Sequence, residues 1–193
     1  MANESVTSAT AEDKAVAIAV LTLAFAGDPA TRWTWPDPKG YLTAFARFAE
    51  AFGGAAFAKG SAHYIDGAAT ALWLPPGSEP DEAAMVELFE ATADPATAND
   101  GPQVMQQMAS YHPREPHWYL PLLGVDPARQ GQGLGGRLLE HATRLFDRDG
   151  AVAYLESSNP RNVSLYQRHG FEELGRIQVG SSPVFTPMRR DPR

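Results

Sequence analysis

Between an apolar run ending at Val125 and a helical pattern opening near Gly133, the chain reads Arg129-Gln130-Gly131-Gln132-Gly133-Leu134-Gly135-Gly136. A helix N-terminus offers unpaired backbone N–H groups and the positive end of its dipole, and glycines remove the Cβ atoms that keep a phosphate at a distance. Strand, glycine turn and helix in that order make an anion cradle. The spacing Gly131-x-Gly133-x-x-Gly136 also satisfies the dinucleotide-binding pattern, with Glu156 at a later strand end in the place of the acid that holds a ribose. In that fold the first strand runs almost directly into the first glycine, whereas Asp126-Pro127-Ala128-Arg129-Gln130 intervene here. The stretch after Gly136 is also short for the remaining strand-helix units.

The elements that must hold this turn are legible from periodicity. Residues 117–125 read as an apolar strand and 133–147 as an amphipathic helix with Leu134, Leu138, Leu139, Leu145 and Phe146 inward. Residues 151–156 form a second strand, 160–168 a short helix, and 170–178 and 184–188 two further strands. Upstream, a helix runs from an N-cap near Thr10-Ala11-Glu12-Asp13 to about Phe25, and another spans 40–52. Between them, 31–38 is irregular and carries Trp33, Trp35, Pro36 and Pro38. Two extended runs, 56–65 and 68–74, meet at Asp66-Gly67, a hairpin signal, and 81–93 and 103–111 read as helices joined by the loop 94–101. The class is α/β in the mixed, α+β sense.

A length of 193 residues, 44% of them hydrophobic, suits one buried core: a flexible tail over 1–9 and a single domain over 10–190. The net charge of -7 leaves no basic patch for nucleic acid and could favour a cationic acceptor. With no cysteine, disulfides, a thiolate zinc site and a cysteine acyl carrier are excluded, and no His-Glu-x-x-His spacing suggests a metal. The run 15–26 is too short to span a bilayer. The acids Glu4, Glu12 and Asp13 ahead of it, against Lys14 alone, also oppose a secretory signal, so no membrane association and a cytoplasmic location are expected.

Leu123-Gly124-Val125-Asp126-Pro127-Ala128-Arg129-Gln130-Gly131-Gln132-Gly133-Leu134-Gly135 resembles motif A of the GCN5-related N-acetyltransferases, in which Gln130, Gly133 and Gly135 fill the Gln/Arg-x-x-Gly-x-Gly/Ala form. Asn159-Pro160-Arg161-Asn162-Val163-Ser164-Leu165-Tyr166-Gln167-Arg168-His169-Gly170-Phe171 resembles motif B, with its Tyr-x-x-x-Gly-Phe ending. More narrowly, the stretches 25–32, 112–116 and 155–162 are similar to the puromycin N-acetyltransferase branch, with departures at 33–37 and 118–122. The resemblance covers nearly the whole chain. It implies a mostly antiparallel mixed sheet that splays between the fourth and fifth strands, helices on both faces and a helical insertion before the fourth strand. It also implies acetyl transfer from acetyl-coenzyme A to an amine by a monomer or homodimer. A peptide amine acetyltransferase and a non-catalytic acyl-coenzyme A module remain alternatives.

On that resemblance, backbone N–H groups from Gln130 to Gly136, with Gln132 and Leu134 among them, hold the pyrophosphate, and Arg129 adds charge. Leu123, Gly124 and Val125 present strand-edge groups to the pantetheine arm, with Asn159 and Asn162 nearby; Asn162 is equally readable as a helix cap. Tyr166 matches the family's acid for the leaving thiolate, since a phenol of pKa about 10 stays protonated at neutral pH. Glu156 is the first choice for the base that takes a proton from the amine, with His117 and Glu115 as fallbacks; His112, His141 and His169 read as loop or surface residues. The aromatic stock for the acceptor comprises Trp33, Trp35, Tyr64, Trp73, Trp118 and Tyr119. Trp33, Trp35 and Tyr119 are the candidate acceptor-binding residues.

Overall fold

The computed structural model describes residues 5–193. Seven strands form one sheet in the order β1-β2-β3-β4-β5-β7-β6. These are β1 (Thr7–Ser8), β2 (Ala62–Ile65), β3 (Ala69–Leu74), β4 (His117–Val125), β5 (Val152–Ser157), β6 (Glu172–Glu173) and β7 (Thr186–Arg190). Every pairing is antiparallel except β4 with β5, which is parallel. The mixed class and the mostly antiparallel sheet are as the sequence predicts. The 1–9 tail is corrected in part: Thr7 and Ser8 pair with Tyr64 and His63, while residues 1–4 lie outside the described residues.

Alternation along the strands sends side chains to two separate cores. One face carries Ala62, Tyr64, Leu72, Leu74, Tyr119, Leu122 and Tyr154 against helices α1 (Lys14–Ala24) and α3 (Pro38–Gly53). The other carries Ile65, Ala69, Ala71, Trp73, Leu120, Ala153 and Leu155 against α7 (Leu134–Arg148). Leu134, Leu138, Leu139, Ala142 and Phe146 form its buried stripe, at the spacing of one helix face. Phe146 meets Trp73 edge-on and stacks on Trp118, each with ring centroids 4.8 Å apart.

Helix α2 (Pro29–Thr34) occupies part of the segment predicted irregular. Asp28 caps it, accepting from the N–H groups of Ala30 and Thr31, and Pro29 sits where a missing N–H costs nothing. The four-residue α4 (Ala55–Ala58) replaces the start of the predicted 56–65 strand. Helices α5 (Glu82–Thr92) and α6 (Asp100–Tyr111) form the expected insertion before β4, and α8 (Pro160–Arg168) follows β5. The strand predicted over 170–178 shrinks to β6, and the arm between β6 and β7 touches at one bridge, Ile177 to Phe185.

The sheet opens between its two central strands. Strands β4 and β5 pair only at His117 with Val152, Trp118 with Ala153 and Tyr119 with Tyr154. Beyond that seam β4 turns to β3 alone, with a register shift between Leu72 and Leu74, and β5 turns to β7 alone. Leu122 and Tyr119 sit three apart on β4 opposite Leu72 and Leu74, two apart on β3, so β4 carries one extra residue there. Pro121 lies within this bulge and has no N–H to give a neighbouring strand. A wedge-shaped opening results between the later halves of β4 and β5.

A histidine pair on the α7 face ties stability to pH. His63 on β2 is 3% exposed, its Nδ1 has no hydrogen-bond partner among the described residues, and its ring lies 4.6 Å from that of His141. Burial, helped by His141, lowers His63 from 6.5 to about 4. In the unfolded chain it takes up a proton near pH 6.5, so the unfolded state binds more protons between 6.5 and 4. Stability is complete above that window and falls as pH drops through it. Denaturant unfolding at pH 5 is therefore expected to show about 2 kcal/mol less stability from this residue than at pH 7.5, and His63→Gln should flatten that part of the profile. An equal pH dependence in the variant would remove His63 from the account.

Candidate functional site

At the foot of the wedge, Asp126 takes the N–H of Ala128 at 2.8 Å and starts a short 3-10 turn, Pro127–Arg129. Gln130 Nε2 donates to the Val125 carbonyl at 3.2 Å, and Arg129 Nε to Gln132 Oε1 at 3.0 Å, so the turn is braced by its own side chains. Gly131 and Gly133 have φ of 77° and 78°, the left-handed region that glycine enters without strain. Gly133 is the N-cap of α7 and brings no capping side chain; the first helical bond runs from Arg137 N to Gly133 O. The N–H groups of Leu134, Gly135 and Gly136 therefore have no partner within the helix. The space beside Gly131 and Gly133 is open to 4 Å. The positive end of α7 thus stands over glycines with open space beside them.

The free edge of β4 follows from its pairing. Asp126 N bonds Ala68 O at 2.8 Å, so in the alternating antiparallel pattern Gly124 and Leu122 also exchange bonds with β3. Leu123 turns its N–H and C=O groups into the wedge, and Val125 does the same with its carbonyl already taken by Gln130 Nε2. Gly124 is thereby corrected: its backbone groups serve β3. Its missing Cβ instead admits α1, since a Cβ there would lie 2.7 Å from that of Ala24. Gly135 marks where three elements converge, because a Cβ on it would rest 3.5 Å from Leu165 of α8 and 3.6 Å from Leu123 and Val125.

Tyr166 follows Leu165 on α8 and is 7% exposed, with its ring edge-on to Phe171. Burial and, less strongly, the charge of Asp28 hold its phenol above the ordinary tyrosine range. Asp28 is itself buried, accepts from Ser158 Oγ at 2.7 Å, and is raised by burial against these hydrogen bonds. The loop after α1 is thus fastened to the turn after β5, beside Tyr166. Asn159 caps α8, its Oδ1 accepting from Arg161 N at 3.1 Å. Asn162 lies exposed in the first turn of α8, one of the two places its sequence allows.

Glu156 stands on β5 two residues beyond the seam, on the face of Tyr154. Its side chain is 2% exposed, and Oε1 lacks a hydrogen bond among the described residues while lying 3.2 Å from Nε2 of His112. The His112 ring sits 4.7 Å from Tyr119 and 4.5 Å from Tyr154. Burial first, then the Glu156 charge, raises both phenols well above 10. His112 is therefore corrected from a loop bystander to a partner of Glu156. The fallbacks are engaged elsewhere: Glu115 pairs with Arg189, and His117 Nδ1 lies 2.9 Å from the Glu115 carbonyl.

Of the aromatic candidates, Trp35 is corrected to core. It is 2% exposed, packs on Phe48 and Phe89, and donates Nε1–H to Thr92 Oγ1 at 3.1 Å. Tyr64 and Trp73 are likewise buried, and Trp118 faces α7. Tyr119 belongs to the Glu156 cluster. Trp33 is half-buried and donates Nε1–H to Ser181 Oγ at 3.1 Å, while Asp100 Oδ2 accepts from Ser181 N and Oγ at 2.9 and 3.0 Å. Val104 and Met108 of α6 pack with Ile177 and Phe185 of the arm beneath this clasp.

A family profile described as the acetyltransferase (GNAT) family matches residues 28–171. The chain belongs to the acetyltransferase (GNAT) family. GNAT enzymes act on amines with acetyl-coenzyme A. Among curated GNAT relatives, the N-alpha-acetyltransferase RimI of Mycobacterium tuberculosis is 41% identical over 75 residues, 36% of this chain and 46% of that one. An uncharacterized N-acetyltransferase of Schizosaccharomyces pombe is 39% identical over 59 residues, 30% of this chain and 24% of its own. The chain thus spans less than half the length of these curated relatives. A solved Corynebacterium glutamicum structure, described as histone acetyltransferase HPA2 and related acetyltransferase, is 28% identical with a TM-score of 0.69, covering 100% of this chain and 98% of its own.

The stretch matched to the GNAT family holds the cradle, the free edge of β4, Glu156 and Tyr166. It also holds Asp28 and Ser158, to which the sequence analysis gave no role, and the inward-facing His112, which it read as a loop or surface residue. Only the first carried a local signal, since an Asp-Pro pair is a helix start as well as a helix stop. Among the described residues no three His, Asp or Glu side chains cluster as metal ligands, and no helix is long and apolar enough to cross a membrane.

Proposed function

We propose that this chain moves the acetyl group of acetyl-coenzyme A to a primary amine of a small molecule, by direct transfer in a ternary complex. The residues fit the donor: backbone N–H groups of Gly131 to Gly136 for the pyrophosphate, with Gln130, Gln132 and Arg129 bracing the turn, and the edge of Leu123 and Val125 for the pantetheine arm. The donor supplies an activated thioester. Tyr166 keeps its proton across the working pH range and gives it to the sulphur as the thioester opens; Glu156 takes the amine proton, directly or through water. A cytoplasmic location and action as monomer or homodimer belong to the same proposal.

The observation that favours a small acceptor is the clasp of Trp33, Ser181 and Asp100. It joins α2, the inserted α6 and the arm before β7, beside the buried contact of Asp28 with Ser158 at the end of β5. Such a roof leaves less room for an extended peptide than an open cleft. The similarity to RimI, an N-alpha-acetyltransferase by name, supports the second reading, a peptide amine. The chain's likeness to puromycin N-acetyltransferases in 25–32, 112–116 and 155–162 makes aminonucleosides the first acceptors to try.

The test mixes purified protein and acetyl-coenzyme A with small primary amines, puromycin among them, and with peptides bearing free N-termini. Thiol release is expected with small amines and at least tenfold less with peptides at equal concentration, on the order of the discrimination a shaped pocket provides. Release with peptides alone would reverse the choice, and none with either class would overturn the enzymatic proposal.

A further inference from the structure

Glu156, as the base proposed above, has a difficulty that its surroundings answer. A carboxylate that accepts one proton per turnover must lose it again, and this one is 2% exposed. Beside it, His112 is 27% exposed on its side chain and lines a surface cavity of about 280 Å³ together with Glu79, Arg114, Glu115, His117 and Tyr119. One edge of the imidazole thus meets Glu156 at 3.2 Å while the residue opens on solvent.

We propose that His112 relays the proton from Glu156 to the water of this cavity. The amine loses H⁺ as its nitrogen bonds to the acetyl carbon, and Glu156 holds that H⁺ as a carboxylic acid. Oε1–H then passes it to Nε2 of His112 as Nδ1–H releases a proton to cavity water, which restores the carboxylate and leaves a neutral imidazole protonated at Nε2. Turning of the ring into the cavity and exchange with its water, through the imidazolium, return that proton to Nδ1 before the next turnover. Imidazole suits the step because its two nitrogens can take and give a proton near neutral pH. The flanking phenols of Tyr119 and Tyr154 stay protonated and shape the passage.

The charges around the relay are mixed. Glu79 acts on Tyr119 from the loop after β3, and Tyr111 of α6 faces Tyr154. Arg114 and Glu115 come from the loop after α6, with Glu115 held by Arg189 of β7, and the His117 ring lies 5.5 Å from that of His112. Acids at the mouth draw a proton outward, and Arg114 and Arg189 offset part of that pull.

The inference rests on Glu156 being the base, so both residues are varied. His112→Gln keeps a polar side chain of similar reach but cannot relay. It is expected to lower kcat by about 10²-fold, with KM for donor and amine within about twofold, and to steepen the rise of kcat from pH 6 to 8. His112→Ala should regain rate on adding imidazole, in proportion to the neutral imidazole present. If His112→Gln matches wild type in kcat and pH profile, or imidazole does not restore His112→Ala when His112→Gln is slow, His112 only packs. If Glu156→Gln turns over normally, the base assignment fails instead. Circular dichroism separates a misfolded variant from a slow one; should His112→Ala misfold, the His112→Gln profile decides.

Discussion

Tyr166→Phe is expected to lower kcat by about 10²- to 10³-fold while the dissociation constant for acetyl-coenzyme A changes by less than about twofold. The substitution keeps the ring that packs on Phe171 and removes only the hydroxyl, so folding is little disturbed. In the wild type, burial and the charge of Asp28 hold the phenol above its ordinary range. The phenol therefore keeps its proton at ordinary assay pH, and no basic limb of the rate profile should arise from it. Without it the departing thiolate must find a proton from water. Thiol release under saturating donor, with calorimetry for binding, separates the two parameters. An unchanged kcat would remove Tyr166 from the chemistry, and a loss confined to donor binding would make it a packing residue of α8.

Glu156→Gln is expected to reduce kcat/KM at pH 7 by about 10²- to 10⁴-fold, with the deficit shrinking as pH rises. An alkylammonium of pKa about 10.4 is almost wholly protonated at neutrality, and its free base grows tenfold per pH unit. The variant should follow that slope, because it can use only amine already deprotonated in solution. If Glu156 is the base as proposed, the wild-type enzyme should depend less steeply on pH. Glutamine preserves the size of a side chain wedged beside His112, Tyr119 and Tyr154, so the comparison is not confounded by a cavity. Parallel profiles for the two proteins would exclude proton transfer at this carboxylate.

The parts of the fold that could be read from sequence are those in which local pattern and tertiary packing agree. The stripe of Leu134, Leu138, Leu139 and Phe146 has one helical period, and the core of the α7 face uses that same stripe. Gly131 and Gly133, picked out in the sequence for their missing Cβ atoms, have open space beside them and also adopt the left-handed backbone that glycine enters without strain. The misreadings have equally local origins. Asp28-Pro29 ends one helix and caps the next, so a stop signal hid α2. Prolines around Trp35 suggested exposure, but its ring fills a gap between Phe48 and Phe89 and its N–H finds Thr92. The alanine-rich start of the 56–65 run has no period to distinguish a helical turn from a strand. His112 was invisible for another reason: its meaning lies in a contact with Glu156, brought together only when β5 aligns beside β4 and the chain before β4 folds back over the seam.

The three-pair seam between β4 and β5 has a consequence for how this molecule can change. It divides the sheet into two panels, each with its own strand partners, and much of the hydrophobic mass lies back from the join. Leu122 and Leu155 along the opening belong to the two interiors, whereas Leu123 and Val125 are only partly buried and can be exchanged at less cost to packing, and the clasp of Trp33, Ser181 and Asp100 draws on three separate segments. A scaffold arranged in this way separates side chains whose loss would empty a panel's interior from those at the margins of the gap that can vary at less cost.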